Sequence, residues 1–395
     1  MSKHYDVAAV RAEFPVTERM LYLDSAHQTP LATSVREALL KFYTEGHEFA
    51  GPKPVWLCRI EGVRERVAKF LNASPNEIAF SKNTSEGMNI AANALPLKAG
   101  DNVLLVAGDH PNNAYAFLNL QRKGVEVRFV PLTGEDVSAD AATFESHIDK
   151  NTRAISLSHV TFHAGQRFDV EGIGKLCADE GIYFVVDGMQ STGVIPIDAK
   201  AMGATFIGSG CHKGLLVPQG LGFVYVQDGH DELEPAYMAM SSLANPPADY
   251  IASHDNMALR AGAGRFEIGN FNLPDLHALG ASLDLIEGVG VQNIEAHLYD
   301  LGDRLIEHLD HQGIRLVGPR ARSARSPHIY VLDLQGDDWL EYLASHQVRV
   351  SPERDGIRVS FGLFNNFEDV DQFAEILNRR GKADARMSKA AETVD

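Results

Sequence analysis

The sequence has few cysteines and a deficit of basic residues. Its 395 residues include three cysteines, at positions 58, 177 and 211. An odd number of widely separated cysteines gives neither a disulfide framework nor the paired spacing of a zinc site, so we expect no metal centre and a reducing, cytoplasmic environment. Lysine and arginine number 36 against 53 aspartate and glutamate residues, for a formal net charge of −17. This charge repels nucleic acids and anionic membrane surfaces, and we expect neither as a partner.

Long apolar runs are also missing. No run approaches the roughly 20 residues that a bilayer-spanning helix needs, and the first residues lack the charged-then-apolar pattern of a secretory signal. We therefore expect a soluble protein. Because the length exceeds that of a typical single domain, we predict a large domain over residues 15–260, a smaller domain formed by residues 1–14 and 261–380, and a disordered tail over the charged, small-residue segment 381–395.

A repeated unit is present between residues 76 and 194, where short apolar runs alternate with turns and helical stretches. This alternation predicts an α/β fold built on a mostly parallel sheet. In such sheets ligands bind where strands end and helices begin. Residues 234–264 break the pattern with Met, Pro and Gly, and we expect a loop over a site or an interface there.

Lys213 has the most informative position in the chain. An apolar stretch over residues 183–186 ends in Asp187, and Lys213 follows the apolar and small residues 206–210. A buried carboxylate needs a cationic or hydrogen-bonding partner. A protonated pyridine nitrogen would be one, and a lysine amine can form a Schiff base with an aldehyde, so the pair suggests pyridoxal phosphate. A structural salt bridge for Asp187 and a solvated surface position for Lys213 are the alternatives.

Three further segments contain candidate cofactor ligands. Thr84, Ser85 and Glu86 begin a predicted helix, whose free N–H groups would bind a phosphate or would merely be capped by these side chains. His110 follows the apolar run 103–106 and would stack on a flat ring, or would be an ordinary histidine. Gln190 would donate to the cofactor's phenolic oxygen, or would cap a turn.

Arginines in the second half of the chain are candidates for substrate binding or for ion pairs. Arg358 lies in an apolar strand of the predicted small domain. Its guanidinium would clamp a substrate carboxylate with two parallel hydrogen bonds, or would form an interdomain salt bridge. We expect Arg265 and Glu267 to form an ion pair that holds the interdomain region together.

The order of six short motifs resembles the class V aminotransferase family, which includes cysteine desulfurases, kynureninase, isopenicillin N epimerase-like enzymes and hercynylcysteine sulfoxide lyases. The motifs are Thr-Ser-Glu-Gly, Asp-His-Pro-Asn-Asn, Val-Asp-Gly-Met-Gln, His-Lys, Arg-Phe-Glu-Ile-Gly-Asn and Ile-Arg-Val-Ser, and the match spans roughly residues 22–373. The resemblance implies the fold-type I architecture, with a large seven-stranded, mixed but mostly parallel sheet domain and a smaller α/β C-terminal domain. It also implies pyridoxal phosphate and a homodimer with shared active sites.

Residue roles follow from the same resemblance. Lys213 is expected to carry the Schiff base, Asp187 to pair with the pyridine nitrogen and His110 to stack on the ring. The other implied contacts are Gln190 with the phenolic oxygen, Thr84, Ser85 and His212 with the phosphate, Glu86 within the cofactor-binding motif, Asn270 with the partner subunit's phosphate, and Arg358 with the substrate carboxylate.

Departures from the family pattern point to the substrate. His27 and Gln28 stand where relatives often have small residues, and Phe162 stands where many have a polar one, so we expect all three to face the substrate. Desulfurases keep a nucleophilic cysteine just before the carboxylate-binding arginine, whereas residues 347–356 contain no sulfur. Persulfide chemistry needs a thiolate there, so an ordinary desulfurase is disfavoured. Cys211, beside Lys213, is expected to point into the packing.

We therefore predict an enzyme that acts at the Cα of a small α-amino acid, with Lys213 as the base that removes the α-proton. Aminotransfer is the first prediction, on the breadth of the family. A β-eliminating lyase, on a sulfur-containing amino acid for example, and an epimerase are the alternatives. A non-catalytic protein that binds the cofactor is a hypothesis of a different class.

Overall fold

The computed structural model describes residues 4–132 and 139–392. The strands are β1 Leu21–Tyr22, β2 Ile78–Ser81, β3 Asn102–Val106, β4 Glu126–Val130, β5 Thr152–Ser158, β6 Tyr183–Asp187, β7 Phe206–Gly210, β8 Gly222–Val226, β9 Leu316–Val317, β10 Ile329–Leu332, β11 Val348–Arg349, β12 Ser351–Glu353 and β13 Gly356–Ser360. The helices are α1 Val7–Ala12, α2 Thr33–Phe49, α3 Lys53–Phe70, α4 Thr84–Ala94, α5 Pro111–Leu118, α6 Ala141–Glu145, α7 Val170–Glu180, α8 Leu273–Val289, α9 Val291–Gln312, α10 Asp337–Ser345 and α11 Phe367–Glu392.

A seven-stranded sheet forms the centre of the molecule, in the order β2-β8-β7-β6-β5-β3-β4. Strand β8 runs antiparallel to both of its neighbours, and the other adjacent pairs are parallel. Strands β3, β7 and β8 are buried along their whole length, as expected for a sheet covered by helices on both faces. The structure confirms the predicted α/β fold with a mixed, mostly parallel sheet.

The register of this sheet brings three strand ends together. Ser158 at the end of β5 pairs with Asp187 at the end of β6, and Asp187 pairs with Gly208 of β7. The backbone continues this alignment past the strands, because the His159 N–H donates to the Asp187 carbonyl at 2.9 Å. The loops after β5, β6 and β7 therefore leave the sheet side by side, at the edge where ligands bind in such folds.

A smaller α/β unit contains the four-stranded antiparallel sheet β12-β13-β10-β9. Helices α9 and α11 pack against each other beside it. The first residues of the chain also lie here: the Tyr5 hydroxyl donates to the Leu363 carbonyl at 2.6 Å, and Arg11 pairs with Asp369 at 2.7 Å. The predicted domain bounds at residues 14 and 260 stay predictions.

The prediction of a disordered tail over residues 381–395 stays a prediction. Helix α11 continues to Glu392, and residues 393–395 lie outside the described residues. The segment is rich in Ala, Lys, Arg, Met and Glu, which are strong helix formers, so a composition without a core-forming pattern still favours helical backbone. None of the helices in the described part of the chain has both the length and the apolar character to cross a bilayer.

A buried ion pair joins α3 to the segment before α8, and it is not the predicted one. Glu267 accepts from Arg64 Nη1 at 2.6 Å and from the Phe80 N–H at 2.9 Å. Arg265, the predicted partner of Glu267, instead donates to the His230 carbonyl at 2.6 Å. Arg265 lies in a short 3₁₀ turn and Glu267 follows it in extended backbone, so the two side chains leave the chain in different directions.

Glu267→Ala is expected to lower the free energy of unfolding by about 3 kcal/mol, because Arg64 would stay buried without its main anionic partner. Glu61→Ala is the matched control. Glu61 also contacts Arg64, at 2.9 Å, but its side chain is 60% exposed, and its loss should cost less than about 1 kcal/mol. Urea unfolding of both variants measures the difference, and equal losses would contradict the prediction.

Candidate active site

A cavity of about 240 Å³ lies at the edge of the large sheet where the parallel strands end. The residues that line it are Asn83, Thr84, Ser85, His110, Asn112, Ser158, Val160, Phe162, Asp187, Met189, Gln190, His212, Lys213, Gln219 and Gly220. The structure thus brings together most of the residues singled out from the sequence.

Asp187 is buried at the end of β6, with 5% of its surface exposed. Its Oδ1 accepts from the Met189 N–H at 2.9 Å. Burial raises the pKa of Asp187 to about 7, and the nearby charge of Asp109 adds to the rise, whereas the Met189 hydrogen bond and Lys213 oppose it. A carboxylate in this state favours a cationic or proton-donating partner within the cavity.

Lys213 faces the same cavity from the loop after β7. Burial and the positive charge of Arg358 lower the pKa of Lys213 to about 8, while Asp187 counteracts the fall. An amine with this pKa is partly neutral near pH 7 and can act as a nucleophile or a base. Gly210 lies at the end of β7, where a Cβ atom would lie 3.2 Å from Thr84 Oγ1, so the absence of a side chain lets α4 come close to this loop.

His110 is the N-cap residue of α5, and its ring lies edge-on to the Phe162 ring at a centroid distance of 5.0 Å. Its Nδ1 accepts from the Asn112 N–H at 3.1 Å. Burial, together with the charge of Lys213, lowers the pKa of His110. The imidazole is therefore held in place as a flat, neutral ring at the cavity wall.

Asp109 holds this wall together, a role that was missed from the sequence. Its carboxylate accepts from the His110 N–H at 2.6 Å and from the Ser158 hydroxyl at 2.6 Å. It also accepts from the Ser158 N–H and from the Asn113 amide. The signal that could have found it is its place directly after a buried strand, next to a candidate site residue.

The N-terminus of α4 supplies Thr84 and Ser85 to the cavity. Asn83 caps the helix by accepting from the Glu86 N–H at 2.9 Å. Glu86 does not line the cavity, which differs from the prediction: its carboxylate accepts from the Lys82 N–H at 2.5 Å. A side chain at the third helical position reaches back to the chain before the helix, so the capping alternative describes Glu86 better than cofactor binding.

Gln190 and His212 both lie in the wall of the cavity. The Gln190 amide donates to the Ala26 carbonyl at 3.0 Å, so the donor expected to reach a phenolic oxygen is engaged, whereas its buried Oε1 has no hydrogen-bond partner among the described residues. Burial and Lys213 lower the pKa of His212 to about 4. His212 is therefore a neutral hydrogen-bonding group at neutral pH.

Besides Glu86, four other predicted residues do not line the cavity. Gln28 touches its rim, because Gln219 donates to the Gln28 side chain at 3.1 Å. His27 and Asn270 are exposed, and the implied role of Asn270 concerns a second subunit. Arg358 is buried and donates to Glu353 at 2.8 Å, so it forms a salt bridge within one hairpin and not the interdomain salt bridge of the alternative.

A much smaller cavity, of about 20 Å³, lies on another side of Lys213. Ser25, Gln190 and His328 line it, and each has a buried polar side-chain atom without a hydrogen-bond partner among the described residues. The volume is enough for about one water molecule. Burial lowers the pKa of His328 to about 3, with Lys213 and Arg358 contributing, so sequence analysis missed a neutral imidazole close to the lysine.

The donor set of the larger cavity fits pyridoxal phosphate. The first N–H groups of a helix have no partner within the helix and bind phosphate well, and the Thr84 and Ser85 hydroxyls lie at this helix end. Asp187 suits a protonated ring nitrogen, and Lys213 suits an aldehyde. The buried Gln190 oxygen is a further acceptor in the same wall.

Asp187→Asn is expected to stabilise the protein without cofactor by on the order of 2 kcal/mol at pH 8. In the unfolded chain the carboxyl group loses its proton near pH 3.8, whereas the folded protein keeps it to about pH 7. The folded state therefore binds more protons between these values, and this group makes stability fall as pH rises from about 4 to 7. Thermal melting from pH 4 to 8 measures the effect. A variant that is less stable than the parent at pH 8 would contradict it.

Comparisons with known proteins agree with this arrangement. The chain is 34% identical to an uncharacterized aminotransferase of Schizosaccharomyces pombe, over 94% of this chain and 96% of that protein. It is 34% identical to a probable cysteine desulfurase of Methanothermobacter thermautotrophicus, over 73% of this chain and 72% of that protein. The fold matches the apo structure of a cysteine desulfurase from Thermococcus onnurineus with a TM-score of 0.88, at 26% identity, over 97% of this chain and all of that one.

The family model described as aminotransferase class-V matches residues 21–373. This range agrees with the span of the motif resemblance, which is thereby confirmed. The fold, the cofactor and the enzymatic character predicted from the resemblance are confirmed with it. The chain belongs to the class V aminotransferase family of pyridoxal phosphate-dependent enzymes.

Proposed function

We propose that the protein is a pyridoxal phosphate-dependent lyase that eliminates a substituent from the Cβ of an amino-acid substrate, without a protein thiol. The proposal rests on one observation: one cavity is lined by Asp187, Lys213, His110 and the N-terminus of α4. The names of the cysteine desulfurase relatives favour the lyase alternative over aminotransfer, the first prediction from the sequence.

The chain's own residues have distinct tasks in this proposal. When bound, the cofactor supplies an aldehyde for the substrate amine and a ring that withdraws electrons from the Cα. Asp187 keeps the ring nitrogen protonated, and His110 packs against the ring. Lys213 takes the proton from the Cα, a task suited to an amine whose pKa lies at about 8, because a general base works best with a pKa near the working pH. Thr84 and Ser85 hold the phosphate.

The positions of the cysteines argue against a reaction that forms a persulfide on a protein thiol. The hairpin formed by β12 and β13, just before Arg358, contains no cysteine. Cys177 and Cys211 are buried, and burial raises the pKa of both thiols, that of Cys177 to about 12. Cys58 is exposed on α3 and does not line the cavity. A leaving group on sulfur would therefore depart as a free small molecule, a thiol from a thioether or cysteine persulfide from cystine, without transfer to a protein cysteine.

Aminotransfer is the second candidate. It is favoured by the name of the relative from Schizosaccharomyces pombe, which is 34% identical over nearly the whole length of both chains. The two reactions share the removal of the α-proton by Lys213. They differ in whether a Cβ substituent leaves afterwards or the cofactor keeps the amino group.

Both candidates predict that borohydride reduction of the protein with its cofactor labels Lys213. Lys213→Ala should remove the label and lower turnover by at least about 100-fold, since the base is lost. Lys82→Ala, at an exposed position near α4, is the matched control and should change neither. Peptide mapping by mass spectrometry identifies the labelled residue, and label on a different lysine would rule out the assignment.

Product analysis separates the two reactions. With sulfur-containing amino acids such as cystine, a lyase should release ammonia and pyruvate without any amino acceptor. A keto acid that forms only in proportion to an added amino acceptor would instead establish aminotransfer and reject the lyase.

We also propose a homodimer. Large apolar side chains are exposed on α2, on α3 and on the irregular stretch between β8 and α8, where the sequence pattern predicted a loop over a site or an interface. They are Leu40, Tyr43, Phe49, Val55, Leu57, Tyr237, Met238, Met240, Tyr250, Ile251, Met257 and Ile268. Helices α2 and α3 pack against each other, with the Phe42 and Trp56 rings 4.3 Å apart, and exposed apolar side chains grouped on neighbouring elements are typical of interaction surfaces. Sedimentation velocity should give twice the chain mass of 43.2 kDa. A species with the mass of one chain at micromolar concentration would reject the dimer.

A further inference from the structure

The guanidinium of Arg358 is already surrounded by acceptors from the protein itself. Its Nη1 donates to Glu353 Oε1 at 2.8 Å and to the Phe162 carbonyl at 3.0 Å. Its Nη2 lies 3.8 Å from Asp24 Oδ1. The Nε atom is buried and has no partner among the described residues. Nε and Nη2 make no hydrogen bond with the described residues, but the side chain is 6% exposed and Arg358 does not line the cavity, so this edge of the guanidinium is closed to an incoming carboxylate.

Glu353 is held from a second side as well. Its other oxygen, Oε2, lies 3.3 Å from His163 Nδ1, and His163 Nε2 lies 2.6 Å from Asp355 Oδ2. The Glu353 side chain is 11% exposed, so solvent screens its charge only weakly. The carboxylate is therefore fixed beside Arg358 by the short hairpin that contains both residues.

This pair lies next to the cavity. Phe162, whose carbonyl accepts from Arg358, lines the cavity with its side chain. The charges of Glu353 and Arg358 both act on Lys213 and on His110. A substrate bound at Lys213 would therefore experience the charges of both Glu353 and Arg358.

A substrate carboxylate that docked on Arg358 would be a third anion beside Glu353 and the buried Asp24. Asp24 has other partners, since it accepts from the Ser351 hydroxyl at 2.6 Å and lies 3.3 Å from Arg349. Glu353 is the anion that accepts a hydrogen bond directly from the guanidinium of Arg358. Like charges in a poorly screened site repel strongly, so the substrate must displace Glu353 before it can use Arg358.

We propose that Glu353 is a specificity-determining residue that competes with the substrate carboxylate for Arg358. This inference rests on the proposed function and deepens it. A site with a built-in competitor discriminates against ligands that bring only a carboxylate and an amine. The favoured substrates are amino acids whose side chains make further contacts that offset the displacement of Glu353, and glycine and alanine are poor ligands.

The test compares Glu353→Gln with the parent protein and with the control Glu341→Gln, at an exposed position on α10. Glycine is titrated into each protein with its cofactor, and binding is followed by the absorbance of the cofactor. Acetate, a carboxylate without an amine, is titrated into the same proteins by calorimetry. Glu353→Gln is expected to bind both ligands at least about tenfold more tightly than the parent, whereas Glu341→Gln should match the parent.

Unchanged or weaker binding of both ligands to Glu353→Gln would overturn the proposal. If acetate binds more tightly while glycine leaves the absorbance of both proteins unaltered, competition at Arg358 stands and the role of Lys213 fails instead. Should Glu353→Gln not fold, Glu353→Asp replaces it, because the shorter side chain loses the 2.8 Å contact. That variant is expected to bind acetate more tightly than the parent, and equal or weaker binding would overturn the proposal.

Discussion

The active site depends on the burial of one carboxylate, Asp187, opposite one amine, Lys213. Each group is removed from water, and burial acts on them in opposite directions: the pKa of Asp187 rises to about 7 and that of Lys213 falls to about 8. Near neutral pH, therefore, each group is partly charged and partly neutral. A cavity in this state gains from a ligand that brings a cationic ring nitrogen to the acid and an aldehyde to the amine.

The sheet makes this arrangement possible, because parallel strands in register deliver their loops to one edge. Asp187 ends β6 directly beside Ser158 of β5 and Gly208 of β7. Asp109 then bonds the loop after β3 to the end of β5 through Ser158. The positions of the chemical groups are thus fixed by backbone hydrogen bonds first and by side-chain contacts second.

Much of this could be predicted from the sequence. Asp187, Lys213 and His110 each follow an apolar run, and strand ends in a parallel sheet meet, so their convergence follows from the pattern. The partners of long side chains could not be predicted, since they depend on rotamers and on contacts between distant segments. Glu86 reaches back to Lys82, and Arg358 pairs with Glu353 across a hairpin. Glu267 pairs with Arg64 from α3, although Arg265 is far closer along the chain.

The same limit applies to buried polar atoms that have no hydrogen-bond partner in the part of the chain that the structure describes. Ser25, Gln190 and His328 come from three separate parts of the chain, and nothing in their local sequence indicates that they line one small cavity beside Lys213. Such groups can be identified only from the three-dimensional structure.

The order of the strands has a consequence for how the chain is made. Strand β2 is complete by residue 81, yet β8, with which it pairs, ends at residue 226. Strand β1, at residues 21–22, pairs with β11 at residues 348–349. During synthesis, both early strands leave the ribosome long before their partners exist, with unpaired backbone edges that can associate with other chains. Neither pairing can therefore be completed until residues 222–226 and 348–349 have been synthesised, and until then both early strands are open to association with other chains.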